Sequence, residues 1–544
     1  MRASTFGFLK NCALLLCLFA PSAWMIATVP PLWRDADAYN QLTRHPLIAT
    51  YWGHGPAYCY AAKVPLLLGE QWERWRGITP PRSGSASSHL TDSGVWLLIV
   101  PQHLALCGAA FYFILTISQV FWVRLALALT WASNALFYTF AHCVGSETLS
   151  MILIVVVAAR ACRLIRSRCE PRWTDWYFFA IGLWLCLLSR HVNLWLTSVL
   201  PAAFLFSWAW TRTASLFASG EREALWLRLS GKRYFRQAVI AIAIGIACFA
   251  TANLLTDALA RKTRLQPHSR IGFTFLWRLQ FLKTLSPESR AALLERVSAR
   301  THSTEARKLI ALLRQTHDDG AELSAGEFMR QAVPVLFPLE GVVQWKKLDE
   351  ALNQMAFAFL LPPTPEHLRA ARAELVAALR MPVTDISSFL FETTAYYFEH
   401  KNEMPACAEL LTFRDWNAEQ IRQIPFRHPY FELWRGLSYN KALLIWFLSL
   451  LFFFVVARRK KENAAAVSSL GISLMAVGLP MTATTCLLVE FLPRYGLPMW
   501  QLLLLSLYLF VGGALDLLAT PGRKRGAWPS FSSKQSAGQQ PTLG

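Results

Sequence analysis

The chain has 544 residues, of which 54% are hydrophobic and only 16% charged, with 22 Trp and 35 Phe. A soluble protein of this size would carry about 25% charged residues, so a single soluble globular domain is excluded. The net charge of +20 lies largely in short basic runs between apolar segments, where topology and anionic lipid account for it. No Lys/Arg and aromatic pattern of a nucleic-acid module accompanies it, and no nucleic-acid partner is expected.

In chain order, ten apolar segments are expected to span a membrane, at 11–30, 95–119, 125–144, 147–160, 174–189, 192–210, 237–258, 438–457, 464–489 and 497–518. Most are long enough to cross about 30 Å of hydrocarbon as a helix; the fourth and fifth are short. The first follows the basic start "MRASTFGFLK" and resembles a signal peptide, but with nine more spans behind it an uncleaved anchor is the better reading. "RACRLIRSR", "GKRYFR", "ARRKK" and "GRKR" fall in alternate loops or the tail. The positive-inside rule puts them in the cytoplasm with both chain ends. Residues 31–94 and the stretch from Ala258 to Lys441 are then exported.

The expected organisation is a transmembrane module over 1–258, with its first exported loop at 31–94, and an exported helical domain over 259–437. A second transmembrane module follows at 438–518, and a Ser-, Gln- and Pro-rich tail at 519–544 reads as disordered. Within the exported domain, "SPES" and "TPEH" are helix starts, each a cap residue followed by Pro and an acid. "LDEALNQMAFAFLL" and "LRAARAELVAALR" carry apolar residues at helical spacing. The aromatic and basic run "RIGFTFLWRLQFLK" reads as an anchor at the water–lipid boundary or a contact for a lipid phosphate. Of the 11 Cys, most fall in spans or cytoplasmic loops, which is not a disulfide framework.

Span interiors are nearly free of charge, which argues against an ion-coupled transporter. Polar residues gather at the outer ends of spans instead. Asp35 and Asp37 follow the first span, and His142, Ser146 and Glu147 join the third to the fourth. Arg190, His191 and Asn193 join the fifth to the sixth, and Glu490 and Arg494 join the ninth to the tenth. Each has a plain alternative: Asp35, Ser146 and Glu147 suit helix starts, and Arg190 and Arg494 suit interfacial anchors. Four junctions at one level nevertheless suggest a cleft at the outer surface.

These features resemble the GT-C superfamily of integral-membrane glycosyltransferases, in the branch of protein O-mannosyltransferases and aminoarabinose transferases. The likeness rests on "DADAY" after the first span, "GSETL" before the fourth, "LSRHVNLWLTSVLP" in the middle and "PRYGLP" before the last. It covers residues 1–260 and 438–518 and leaves out the exported domain. The resemblance implies an all-α polytopic fold of about ten transmembrane helices. Asp35 stands in the leading acid position and Tyr39 in the aromatic one, while Ala36 replaces the usual second acid and Asp37 follows it.

A site of this kind uses a polyprenyl-phosphate sugar as donor, since nucleotide sugars are cytoplasmic. Either Asp35 or Asp37 serves as base for an inverting transfer; the pair holding a divalent metal is an open alternative. Arg494, Arg190 and Arg270 are candidates for the donor phosphate. Glu490, four residues before Arg494, orients it or lines the sugar pocket. Tyr39, His142, Glu147, His191 and Tyr495 are supporting candidates. The acceptor is a lipid, a glycan or a protein, and the site faces the periplasm from a bacterial inner membrane. A flippase for a lipid-linked sugar and a noncatalytic membrane scaffold are the competing readings.

Overall fold

The computed structural model describes residues 2–34, 56–78, 90–167, 171–216, 221–262, 270–318, 325–337, 345–400, 410–457 and 461–519. Almost all of it is helix. Eight helices are long and apolar enough to cross a membrane: Gly7–Thr28, Asp92–Ile117, Ser146–Arg166, His191–Leu216, Leu227–Leu259, Tyr439–Val456, Val467–Leu488 and Pro493–Ala519. The chain is an all-α, multi-pass membrane protein.

Two of the ten expected spans differ from the rest. The fifth is the apolar helix Trp173–Ser189, of 17 residues. The third is broken into Phe121–Ala132 and Ala135–Ala141. Asn134 causes the break, because its side-chain oxygen accepts from the Leu136 N–H at 3.0 Å and so starts a new helix. The carbonyls freed before the break would be costly in an apolar setting. They are taken up from far along the chain, as the Tyr430 hydroxyl donates to Ala132 O and the Trp434 indole to Ser133 O, both at 2.7 Å.

Several polar groups within the bundle are likewise paired. Gln501 donates to Met151 O at 2.6 Å, and Trp446 donates to the Ser506 hydroxyl, which donates to Gly471 O. Asp516, at the end read as cytoplasmic, accepts from the Ser118 hydroxyl and the Gln119 N–H. A buried relay links three segments: Ser22 Oγ to His103 Nδ1 at 2.9 Å, His103 Nε2 to His142 Nδ1 at 3.0 Å, and His142 Nε2 to Val29 O at 2.9 Å. The terminal carbonyl can only accept, so His142 Nε2 carries a proton and donates to Val29 O.

The 259–437 segment divides by its cores. Helices between residues 270 and 360 enclose an apolar core of their own, which includes Phe275, Leu279, Leu282, Leu309, Phe328, Leu352 and Phe359. The later helices Val383–Glu399 and Ala418–Arg427 pack instead into the core of the membrane bundle. The "RIGFTFLWRLQFLK" run is therefore not an interfacial anchor. Phe275, Leu279 and Leu282 recur at helical spacing and fill the separate core, Arg278 is buried against Glu374, and Trp277 is the exposed large ring.

This unit meets the bundle at His367. The ring lies between Phe275 and Phe281, accepts from Arg278 Nε at 3.5 Å, and turns its other nitrogen to Leu487 O. Burial, and after it the Arg278 guanidinium, push His367 down to about 4. A histidine with a depressed folded pKa favours folding above its unfolded value, and that contribution disappears as pH falls through the folded one. Stability is expected to drop by on the order of 3 kcal/mol between pH 6.5 and pH 4. Thermal unfolding across that range should give a visibly flatter curve for His367→Gln; parallel curves would remove His367 as the cause.

Candidate functional site

Non-helical backbone starts the site. Strand β1 (Leu32–Trp33) runs parallel to β2 (Cys143–Val144), with Leu32 opposite Cys143 and Trp33 opposite Val144. Leu32 N donates to His142 O at 3.0 Å and Arg34 N to Val144 O at 3.4 Å. Trp33 N donates to the Thr394 hydroxyl at 2.9 Å, which ties this pair to the Val383–Glu399 helix. Gln102 clamps the other side by donating to Ala141 O and Cys143 O, each at 3.1 Å.

From that frame the Arg34 side chain reaches Ser146 Oγ at 2.9 Å and Glu147 Oε2 at 3.2 Å. Both residues lie in the first turn of the Ser146–Arg166 helix, where an acid also suits the helix dipole. Glu147 Oε1 is 3.1 Å from Arg190 Nη1. Arg190 leaves the Trp173–Ser189 helix in extended conformation, at φ −154 and ψ 142. Asn193 secures that exit by donating to Cys186 O at 2.8 Å and to Ser150 Oγ at 2.9 Å. Burial lowers the Arg190 guanidinium from its ordinary value, Glu147 opposes this, and Arg34 and Arg494 add to it.

Arg494 comes from the fourth junction, in the turn Pro493–Gly496. Its Nη1 donates to Arg34 O at 3.3 Å and its Nη2 to the Tyr495 hydroxyl at 3.3 Å. The guanidinium carbon lies 5.1 Å from the Tyr495 ring centroid and 5.8 Å from that of Phe389. Two aromatic faces thus hold the cation in place. Buried Tyr58 completes the group, its phenol directed at the Gly145 backbone and close to Arg34.

Residues from four junctions therefore come together: Arg34, Ser146, Glu147, Arg190 and Arg494. Glu147 engages one arginine with each oxygen, so taking a proton would cost it an ion pair. His142 belongs to the buried relay rather than to this cluster, and His191 opens the half-buried turn His191–Ser198. Glu490 goes elsewhere: its charged neighbours are Glu374, Arg278 and Lys283. The reason is that Glu374 accepts from Phe491 N at 3.0 Å, which draws the start of "EFLPRYG" toward the separate helical unit. Arg270 begins the helix Arg270–Arg278 of that unit, and its side chain lies outside what is described. Asp35, Asp37 and Tyr39 fall outside the described residues.

Arg34, Thr394 and Tyr58 were not among the candidates. Arg34 carried a usable signal, since a basic residue directly after a span, on the side that the other basic loops make exported, runs against the positive-inside rule. Thr394 and Tyr58 carried none, because only the fold brings them near. Among the described residues no group of three or more His, Cys, Asp or Glu could hold a metal ion. No protein-family model and no curated protein matches the chain.

Gly145 is where the frame is tightest. A Cβ there would stand 2.8 Å from Arg34 Cβ and 3.3 Å from Glu147 Oε2. Gly145→Ala is expected to cost about 1–3 kcal/mol by overpacking, read by thermal unfolding. Gly108→Ala, inside the Asp92–Ile117 helix with nothing within 4 Å of its added carbon, should gain up to about 1 kcal/mol; equal effects at the two sites would refute the close approach.

Proposed function

We propose that the chain is a membrane glycosyltransferase of the GT-C type, moving a sugar from a polyprenyl-phosphate donor to an acceptor on the exported face. The observation that carries this reading is the burial of Arg34, Arg190 and Arg494 around Glu147, with Asp35 joined directly to Arg34 in sequence. Guanidinium forks match phosphate oxygens and are most effective where water is excluded. An acid-rich stretch beside them supplies the second requirement of glycosyl transfer, a proton acceptor.

In the reaction the acceptor oxygen bonds to the anomeric carbon while the bond from that carbon to the phosphate oxygen breaks. The departing electron pair stays on the polyprenyl phosphate, where the arginines offset the charge. The acceptor proton passes to Asp35 or Asp37, and attack opposite the leaving group inverts the centre. A divalent cation held by the two carboxylates is the alternative use of the same pair, and repeating the assay with EDTA reads it. This reading takes ten spans, a bacterial inner membrane and a site facing the periplasm.

The test is transfer by purified protein in nanodiscs from a panel of radiolabelled polyprenyl-phosphate sugars. Asp35→Asn combined with Asp37→Asn is expected to lower transfer by about 100-fold or more while leaving membrane insertion intact. Full activity in the double variant would end the catalytic assignment. Donor binding without turnover in any form would favour a flippase, which needs the arginines and no base.

A further inference from the structure

The helix Pro56–Trp75 has two unlike faces. Tyr58, Ala62, Leu66, Gly69 and Glu73 are buried, and Leu66, Gly69 and Glu73 meet the Asp92–Ile117 span. Contact with that span is backbone to backbone: a Cβ on Gly69 would lie 2.1 Å from Gly94 N and 2.2 Å from its Cα. Glu73 accepts from Ser93 N at 2.8 Å, so the helix also caps the start of the span. On the other face Val64, Leu68, Trp72 and Trp75 are each at least half exposed. Their spacing of four, four and three residues makes one stripe along the helix. Large apolar side chains in such a stripe, two of them Trp, are unusual on a face turned to water.

The height of the contact identifies what covers the stripe. From Ile117 to Gly94 the span rises about 34 Å at about 1.5 Å per residue. A hydrocarbon core is about 30 Å thick, and the headgroup layers bring it to about 40–45 Å. Arg166 donates to Ile117 O at 2.6 Å, which sets that end of the span at the opposite edge of the hydrocarbon. Gly94, and with it the Leu66, Gly69 and Glu73 part of the Pro56–Trp75 helix, then sits in the headgroup layer. On the span itself, Leu97 and Leu104 are exposed apolar residues in the adjoining lipid belt. Trp72 and Trp75, with ring centroids 5.2 Å apart, have the amphipathic rings favoured at that depth. Arg76 is exposed beside them and suits a lipid phosphate, while Arg74, also exposed, pairs with Glu70.

We propose that the Pro56–Trp75 helix lies in the outer headgroup layer and presents Val64, Leu68, Trp72 and Trp75 to phospholipid. The inference needs only a membrane-spanning chain and is independent of the sugar-transfer reading. It assigns to this helix the boundary role that the residues 270–283 do not fill.

The test places the photoreactive amino acid p-benzoylphenylalanine singly at Leu68, Trp72 and Trp75 of the full chain. Leu104 serves as the lipid-facing reference, and Arg330, exposed on the separate helical unit, as the water-facing one. The protein is held in nanodiscs of palmitoyl-oleoyl phosphatidylethanolamine and phosphatidylglycerol, irradiated, and weighed intact. The mass of one phospholipid should be added at the three stripe positions and at Leu104, and not at Arg330. Labelling at Leu104 with none at the stripe would overturn the proposal. A chain-to-chain cross-link from the stripe would do the same, assigning the face to a second copy. Because the three positions are probed separately, failure of one variant to express leaves the other two to decide.

Discussion

Glu147→Ala should be among the most damaging single substitutions in this protein. The carboxylate stands between two buried guanidinium groups, 3.2 Å from Arg34 and 3.1 Å from Arg190. Its removal brings those cations, and Arg494 behind them, into mutual repulsion in a site from which water is largely excluded. Breaking a buried pair by deleting one partner costs about 3–5 kcal/mol, so a steep loss of thermal stability in detergent is expected. Glu147→Gln keeps an acceptor oxygen and should lose less. If the repulsion is the cause, adding Arg190→Met to Glu147→Ala should recover part of the loss, because a neutral side chain then fills the space. A change below about 1 kcal/mol, the scale of an exposed pair, would mean that the cluster does not organise the four junctions.

The second large effect is expected at Gly69. Here the neighbour is backbone, the Gly94 nitrogen at 2.1 Å from an added Cβ, and backbone cannot swing away as a side chain can. Gly69→Ala must therefore separate the Pro56–Trp75 helix from the span and pull Glu73 from its place on Ser93. Overpacking costs about 1–3 kcal/mol and occasionally more, and this contact belongs at the upper end. Against that stands the gain of about 1 kcal/mol for Gly→Ala within a helix, which the clash must exceed. Unfolding curves for Gly69→Ala and Gly108→Ala compare the two terms directly, since Gly108 meets nothing within 4 Å. Unchanged stability at Gly69 would show that parting the two helices costs no more than the helix gain of about 1 kcal/mol.

Different parts of the architecture were legible in the sequence for different reasons. Long apolar runs announce spans because lipid tolerates nothing else, and the eight long apolar helices fall on eight of the ten expected segments. The broken third span was hidden, since hydropathy averages over Asn134 and cannot register a cap. Polar residues at span ends pointed to a shared site because charge is expensive near lipid; of those named, Glu147 pairs with Arg190, and Arg494 bonds the Arg34 backbone. Arg34 was overlooked beside the acids that follow it. The aromatic run at 270–283 misled because rings suit both a boundary and a core, and only the partners Leu352 and Phe359 decide between them. Glu490 misled by proximity in sequence: four residues suggest a shared helical face, whereas a turn separates it from Arg494 and Glu374 holds the intervening backbone.

The break at Asn134 also sets a timetable for synthesis. The carbonyls of Ala132 and Ser133 wait for Tyr430 and Trp434, which lie 298 and 301 residues later. At about 5–20 residues per second, roughly 15–60 s pass between the emergence of these partners. Over that interval the interrupted helix must draw on water, lipid headgroups or the insertion machinery for its hydrogen bonds. The nascent N-terminal half is thus a client of other molecules until about the last fifth of the chain arrives, and truncation before Tyr430 leaves it one permanently.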